Sequence, residues 1–102
     1  MLKKVSDLAG AALDYAVALA EGCVYGLPGT IHSFSPSTSW AQGGPIIELE
    51  IDLYEKLPTG IFCADIHKTL TRQFGPTSLI AAMRCYVASK FGDEVEVPDD
   101  LR

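Results

Sequence analysis

The sequence predicts an α+β fold, with an N-terminal helix, a small antiparallel sheet of about three to five short strands, and a C-terminal helix packed on that sheet. Apolar residues recur at three- and four-residue steps near both ends of the chain, which is the helical period. Between these segments lie short runs of β-branched and aromatic residues, separated by Pro and Gly turn signals. The 102 residues suit one domain, which we expect over residues 1–92, followed by an acidic tail over 93–102.

The first helix is predicted over residues 6–21. Ser6 is a suitable N-cap, Asp7 places a negative charge at the positive end of the helix dipole, and Gly22 suits the left-handed residue that ends a helix. Its apolar face contains Leu8, Ala12, Tyr15, Ala16 and Leu19. Three small residues share one row on this helix: Ala12, Ala16 and Ala20. The row suits close packing in the core or a homodimer interface, and the sequence leaves both open.

The segment after this helix predicts two short strands, at residues 23–26 and 30–34, around a Pro28-Gly29 turn. Residues 35–44 are rich in Ser, Pro and Gly, which predicts a surface loop with Trp40 in its middle. From Leu49 the sequence alternates between apolar and acidic residues, which favours a strand over 49–54.

Residues 45–48 stay open between helix and strand, because Pro45 also suits the first position of a helix. Two further strands are predicted at 61–66 and 70–74.

The closing helix is predicted over 78–91, with Thr77 as its N-cap and Gly92 at its end. Its buried stripe is expected to contain Leu79, Ile80, Met83, Tyr86, Val87 and Phe91, with Arg84 on the opposite side.

Net charge and hydrophobic patterning disfavour two classes of function, nucleic-acid binding and membrane association. The net charge of −5 disfavours nucleic-acid binding, because like charges repel the phosphate backbone. Five of the 13 acidic residues lie in the last ten positions, so the remainder of the chain is near neutral. The tail is expected to be a solubilising end or to compete with an acidic partner for a basic surface. No segment has the ~20 apolar residues that span a bilayer, so we expect no membrane partner and a cytoplasmic protein.

The residue pattern predicts no catalytic constellation, metal site or cofactor. The three cysteines lack the close spacing of a zinc or redox motif. His32 and His67 fall on separate strand ends, and a hydrolase would need one of them beside Cys63 or Asp65. The alternating acids Glu48, Glu50 and Asp52 could in principle bind a cation, but they fit the solvated face of a strand better.

Three segments resemble the NinX-like family of phage and prophage proteins: AALDYAV at 11–17, SPSTSWAQGGPIIE at 35–48, and residues 75–98. The family pattern has an aspartate directly before the tryptophan, a position that Ser39 occupies here, so no carboxylate role carries over. The resemblance implies a small accessory protein of phage growth inside a bacterial host cell. It supplies neither catalytic residues nor a cofactor.

From these observations we predict a non-enzymatic binding module that uses the loop over residues 35–45 and the neighbouring start of the closing helix. Trp40 is either its recognition anchor or a residue that tucks under the loop. A phage or host protein is the expected partner. Nucleic-acid binding through Lys56, Lys68, Arg72 and Arg84 is the alternative, and a small hydrolase comes third. The candidate binding residues are Ser35, Ser37, Thr38, Trp40, Gln42, Gly43, Gly44 and Thr77.

Overall fold

The computed structural model describes residues 2–22 and 35–98. It confirms the α+β class and the packing of the C-terminal helix on an antiparallel sheet. The elements in chain order are β1 (Leu2–Lys4), a 3-10 turn (Val5–Asp7), α1 (Gly10–Ala20), α2 (Trp40–Glu50), β2 (Leu53–Lys56), β3 (Phe62–Ile66), β4 (Thr71–Gly75), α3 (Ser78–Phe91) and β5 (Glu94–Glu96). The two strands predicted at 23–26 and 30–34 lie outside the described residues, and so does His32.

The strands form two small antiparallel sheets. One has the order β2-β3-β4, with Cys63 opposite Glu55 on one side and Phe74 on the other. The second pairs β1 with β5 and so joins the two ends of the described chain. The predicted strands at 61–66 and 70–74 are confirmed to within one residue at each end.

Helix α3 is the centre of the fold and occupies the predicted residues, 78–91. The Thr77 side chain accepts a hydrogen bond from the Ile80 N–H at 3.1 Å, and Gly92 has a φ of +86°. The helix contacts all three strands of the three-stranded sheet, most extensively β3 and β4, and also α1 and α2. It is therefore buried on more sides than the predicted stripe, with Ala81, Ala82, Cys85 and Ala88 also in the core.

Phe91 and Arg84 differ from prediction, and Ile80, predicted to be buried, is only partly buried. Phe91 is not buried but 42% exposed, because the last turn stands beside the β1–β5 ribbon, where it lines an open groove with Leu2. Arg84 is not a free outward side chain. Its Nε donates to the Leu8 carbonyl at 2.7 Å and its Nη1 donates to the Phe74 carbonyl at 2.8 Å. The guanidinium thus ties the start of the chain to β4.

The first helix begins later than predicted, at Gly10 instead of residue 6. Pairing of β1 with β5, together with a hydrogen bond from the Val5 N–H to the Asp93 carbonyl, holds the start of the chain in a different geometry. Ser6 consequently lies in the 3-10 turn and does not cap α1, whose N-cap is Ala9. At the other end Gly22 has a φ of +81°, as its predicted role requires.

The predicted loop over 35–44 and strand over 49–54 are wrong in their bounds, because α2 runs from Trp40 to Glu50 and β2 begins at Leu53. Only residues 35–39 form a turn. The helix buries Ile46 and Ile47, which are adjacent in sequence and would point to opposite faces of a strand. Tertiary packing thus overrides the alternating pattern, and the open question at 45–48 resolves to helix.

The first residues of the acidic segment after α3 form a strand. Within β5 (Glu94–Glu96) Val95 is buried in the core, and Val97, directly after the strand, is buried as well. The predicted division of the chain at residue 92 stays a prediction, but the first residues beyond it are part of the fold. Within residues 2–22 and 35–98, no helix is both long and apolar enough to cross a membrane.

Candidate functional site

The turn before α2 is closed by its own backbone. The Ser35 carbonyl accepts hydrogen bonds from the N–H groups of Thr38, at 3.1 Å, and Ser39, at 2.8 Å. The Ser35 N–H donates to the Gln42 side-chain oxygen, which lies in the first turn of the helix. The Thr38 hydroxyl is exposed and contacts the Ser35 carbonyl at 3.5 Å. Several polar groups predicted to face a ligand therefore hold the start of α2 in place.

A hydrogen bond from Ser37 connects this turn to α1. It is buried, and its N–H donates to Oδ1 of Asp14 at 2.9 Å. Burial raises the pKa of Asp14, because desolvation disfavours the charged carboxylate, and the bond from Ser37 opposes that rise. The Ser37 hydroxyl lies close enough to favour the charged form as well, although among the described residues it makes no hydrogen bond of ordinary geometry. Asp14, which no sequence pattern identified as a site residue, is thus the buried partner of the turn.

The Gly43-Gly44-Pro45 stretch, which suggested a loop, lies inside the helix. A Cβ on Gly43 would stand 2.6 Å from Cδ2 of Leu79 and closer still to the Pro36 carbonyl oxygen. Glycine at this position therefore lets α2 approach both the turn and α3. Gly44 precedes Pro45, and a residue with a Cβ is disfavoured in helical geometry before proline. Each of these two glycines is therefore explained by the packing or the backbone geometry of α2.

Trp40 is exposed. It is the first residue of α2 and 52% of its surface is accessible, which resolves the alternative in which it tucks under a loop. Its ring lies over the helix surface at Gly44, where an added Cβ would be 3.9 Å from Cε3. The helical period places four further residues on the same solvent side. We call this set the α2 outer face: Trp40, Ala41, Gly44, Pro45 and Glu48.

Thr77, the remaining candidate, uses its hydroxyl to cap α3. The start of α3 is linked to α2 through Leu79, which packs where a Gly43 side chain would be. The structure thus brings residues 35–44 together in one turn and helix start. It gives Ser35, Ser37, Gln42, Gly43 and Thr77 structural contacts, and it leaves Trp40 as the large side chain at the surface. Their roles in binding stay predictions.

A second cluster lies on the face of the three-stranded sheet turned away from α3. Ala64 and Ile66 point into the core, so the alternate residues Cys63 and Asp65 lie on the other face. Arg72 donates to both carboxylate oxygens of Asp65, with Nε···Oδ1 at 2.7 Å and Nη2···Oδ2 at 2.9 Å. This bidentate hydrogen bonding holds the pKa of Asp65 below its usual range.

Among the described residues, this cluster is where a hydrolase that uses His67 would have to place its active site. His67 and Asp65 do line one cavity of about 230 Å³. The Asp65 carboxylate, however, is occupied by Arg72 instead of orienting the imidazole. Burial, with the nearby Glu55 carboxylate, raises the pKa of the Cys63 thiol, so the reactive thiolate is disfavoured. The backbone N–H of His67 donates to Oδ2 of Asp52 at 2.6 Å, so this hydrogen bond joins the residue before β2 to the residue after β3.

The basic residues considered for nucleic-acid binding do not all face solvent freely. Arg72 is paired with Asp65, Arg84 holds two carbonyls, and Lys56 lies 6.0 Å above the Phe62 ring. Binding to nucleic acid stays a prediction. In the part of the chain that the structure describes, no group of three His, Cys, Asp or Glu side chains is arranged to hold a metal ion.

A family model described as Bacteriophage P22, NinX matches residues 27–90, which is more than half of the chain. The matched segment contains α2 with Trp40, the three-stranded sheet and nearly all of α3. No curated protein matches the chain.

Proposed function

The chain belongs to the NinX family of bacteriophage proteins, and on that premise we propose that it is a non-enzymatic accessory protein that binds a phage or host protein through the α2 outer face. The observation that carries this proposal is the exposure of Trp40. A tryptophan with half of its surface in water gives up much of the apolar burial that it could contribute to folding. Tryptophan is also enriched among the residues that dominate binding energies at protein interfaces.

The surroundings of Trp40 suit an anchor. The turn at residues 35–39 is bonded to Gln42 and to Asp14, so the first turn of α2 is held before any partner arrives. A pre-organised surface loses less conformational entropy on binding. The α2 outer face also contains Ala41, Gly44 and Pro45, which are small residues that let a partner approach the helix closely.

The chemistry of this face favours a protein partner. Its one charged residue is Glu48, so contact would rest on the indole and the small apolar residues, with a polar rim. The face carries no Lys or Arg side chain, so it lacks the positive charge that supplies most of the affinity for a phosphate backbone.

The test is affinity capture from phage-infected bacterial cells, with the full chain as bait beside two variants. Trp40→Ala removes the anchor. Tyr54→Ala, which removes an exposed aromatic residue from β2, is the matched control. A partner retained by the wild type and by Tyr54→Ala, but lost with Trp40→Ala, is the expected result. Both variants should melt within a few degrees of the wild type, since each removes a half-exposed side chain.

Because Trp40 is the sole tryptophan, its fluorescence reports directly on the site. Adding the captured partner should shift the emission to shorter wavelength as the indole leaves water. Equal capture by Trp40→Ala would contradict the proposal, and so would an unchanged emission spectrum. Capture that disappears after nuclease treatment would indicate the nucleic-acid alternative instead.

A further inference from the structure

A cavity of about 300 Å³ lies on another part of the molecule, between the 3-10 turn, the end of β4 and α3. Its volume is at the low end of the ~300–1,000 Å³ typical of small-molecule sites. Seven residues line it, namely three apolar residues, three residues with polar side chains and one glycine: Ile61, Phe74 and Pro76; Ser6, Gln73 and Arg84; and Gly75. A mostly apolar wall with a few convergent polar groups is the usual composition of a ligand site.

The apolar wall is incompletely covered by the protein itself. Ile61 and Phe74 are each 46% exposed, although both are large apolar side chains. A ligand in the cavity would remove part of this surface from water, which is favourable in proportion to the apolar area buried.

The polar wall carries a positive charge with unused hydrogen-bonding capacity. A guanidinium has five N–H donors in a planar fork, and the bonds from Arg84 to the Leu8 and Phe74 carbonyls use two of them. Both of these acceptors are neutral. Partial burial lowers the pKa of Arg84, because desolvation disfavours its charged form, and the nearby Asp7 carboxylate acts in the opposite direction. No residue of the cavity lining is acidic.

We propose that this cavity binds a small carboxylate carried on an apolar or aromatic body. Arg84 takes the carboxylate, since the guanidinium fork matches its geometry. Ile61, Phe74 and Pro76 contact the apolar body. Ser6 and Gln73 stand at the same cavity as further hydrogen-bond donors. This site is independent of the α2 outer face, so either proposal can fail without the other.

The test uses 3-phenylpropanoate as the probe, measured by isothermal titration and by amide chemical-shift changes on the full chain. Two matched compounds separate the contributions: 3-phenylpropan-1-ol lacks the charge, and propanoate lacks the aromatic body. We expect the acid to bind at least about ten-fold more tightly than the alcohol, which corresponds to a hydrogen bond with a charged group. Propanoate should bind more weakly than the phenyl acid.

Variants check the position of the site. Phe74→Ala should weaken binding, whereas Leu53→Ala, which removes a similarly exposed apolar side chain outside the cavity lining, should not. Asp7→Asn should tighten binding by roughly two- to five-fold, because it removes the competing negative charge at an exposed position. This variant does not depend on replacing Arg84, whose loss would also release two backbone carbonyls.

Three outcomes would overturn the proposal. The first is equal affinity for the acid and the alcohol, which would show that Arg84 does not select a charge. The second is unchanged affinity in Phe74→Ala. The third is the absence of saturable binding up to the solubility limit of the probe.

Discussion

Replacing Gly43 by alanine should destabilise the protein by about 2 kcal/mol. The new methyl group would stand 2.6 Å from Cδ2 of Leu79 and closer still to the Pro36 carbonyl oxygen, and the backbone oxygen cannot move aside as a flexible side chain can. Overpacking of this kind costs ~1–3 kcal/mol, and contact with a fixed backbone atom places it at the upper end. The gain in helix propensity from glycine to alanine offsets about 1 kcal/mol.

Gly44→Ala is the matched control one residue further along α2. Its new Cβ would meet only Cε3 of Trp40, at 3.9 Å, which is an ordinary van der Waals contact. The propensity gain of about 1 kcal/mol is opposed here by the restriction on a residue that precedes proline, Pro45. We therefore expect a change close to zero, so the two neighbouring substitutions should differ by roughly 2 kcal/mol.

Urea unfolding and thermal melts followed by circular dichroism measure both variants. A loss of about 2 kcal/mol in a chain of this size lowers the melting temperature by roughly 8–16 °C. Gly43→Ala as stable as Gly44→Ala would refute the reasoning, because it would mean that α2 does not pack this closely on Pro36 and Leu79. A wild-type melting temperature in Gly43→Ala would refute it as well.

Three further predictions concern polar contacts. Thr77→Ala should lower the free energy of unfolding by about 1 kcal/mol, because α3 loses its N-cap. Thr77→Ser should keep most of that free energy, and unfolding in urea measures both variants. Folding raises the pKa of Asp14, so wild-type stability should fall as pH rises above 3.8 towards the folded-state pKa. Asp14→Asn should remove this slope while its amide oxygen still accepts the Ser37 N–H; an unchanged pH profile would contradict the burial argument. Folding lowers the pKa of Asp65, so the stability from its pairing with Arg72 is present at neutral pH and lost as pH falls through that folded-state value, below 3.8. Asp65→Asn should therefore be less stable than the wild type at pH 7, and the difference should narrow as pH falls below 3.8, as melts across that range would show.

Helix α3 could be predicted from the sequence to the residue, because its signals are local. A threonine cap, an apolar period and a glycine with positive φ act within a few residues of each other. The strands β3 and β4 were also predictable, since their turn at residues 67–70 separates two short runs of suitable residues. The extent of burial around α3 was not, because it depends on α1 and α2 packing against its other sides.

Helix α2 shows where local signals mislead. Gly-Gly-Pro is typical of a loop, and alternating acids are typical of a strand, yet both lie within one helix and the bend after it. What decides the conformation is the burial of Ile46 and Ile47 together with the close approach at Gly43. Neither contact is visible from the spacing of residues along the chain.

The candidate site divides in the same way. The segment from Ser35 to Gly44 was found from its composition and its single tryptophan, and the exposure of Trp40 needed the fold. The bond from Ser37 to Asp14 and the two bonds of Arg84 join residues far apart in sequence. No sequence pattern identified these partners.

The sequence by itself determined the α+β class, the closing helix with its caps, and the family resemblance, because these depend on residue types at short spacing. Tertiary structure alone decided that a glycine-rich segment is helical, that Trp40 faces solvent, and that Arg84 lines a cavity instead of standing free. The physical reason is that burial and close approach depend on which distant segments meet, and their energies exceed the weak preferences of individual residues.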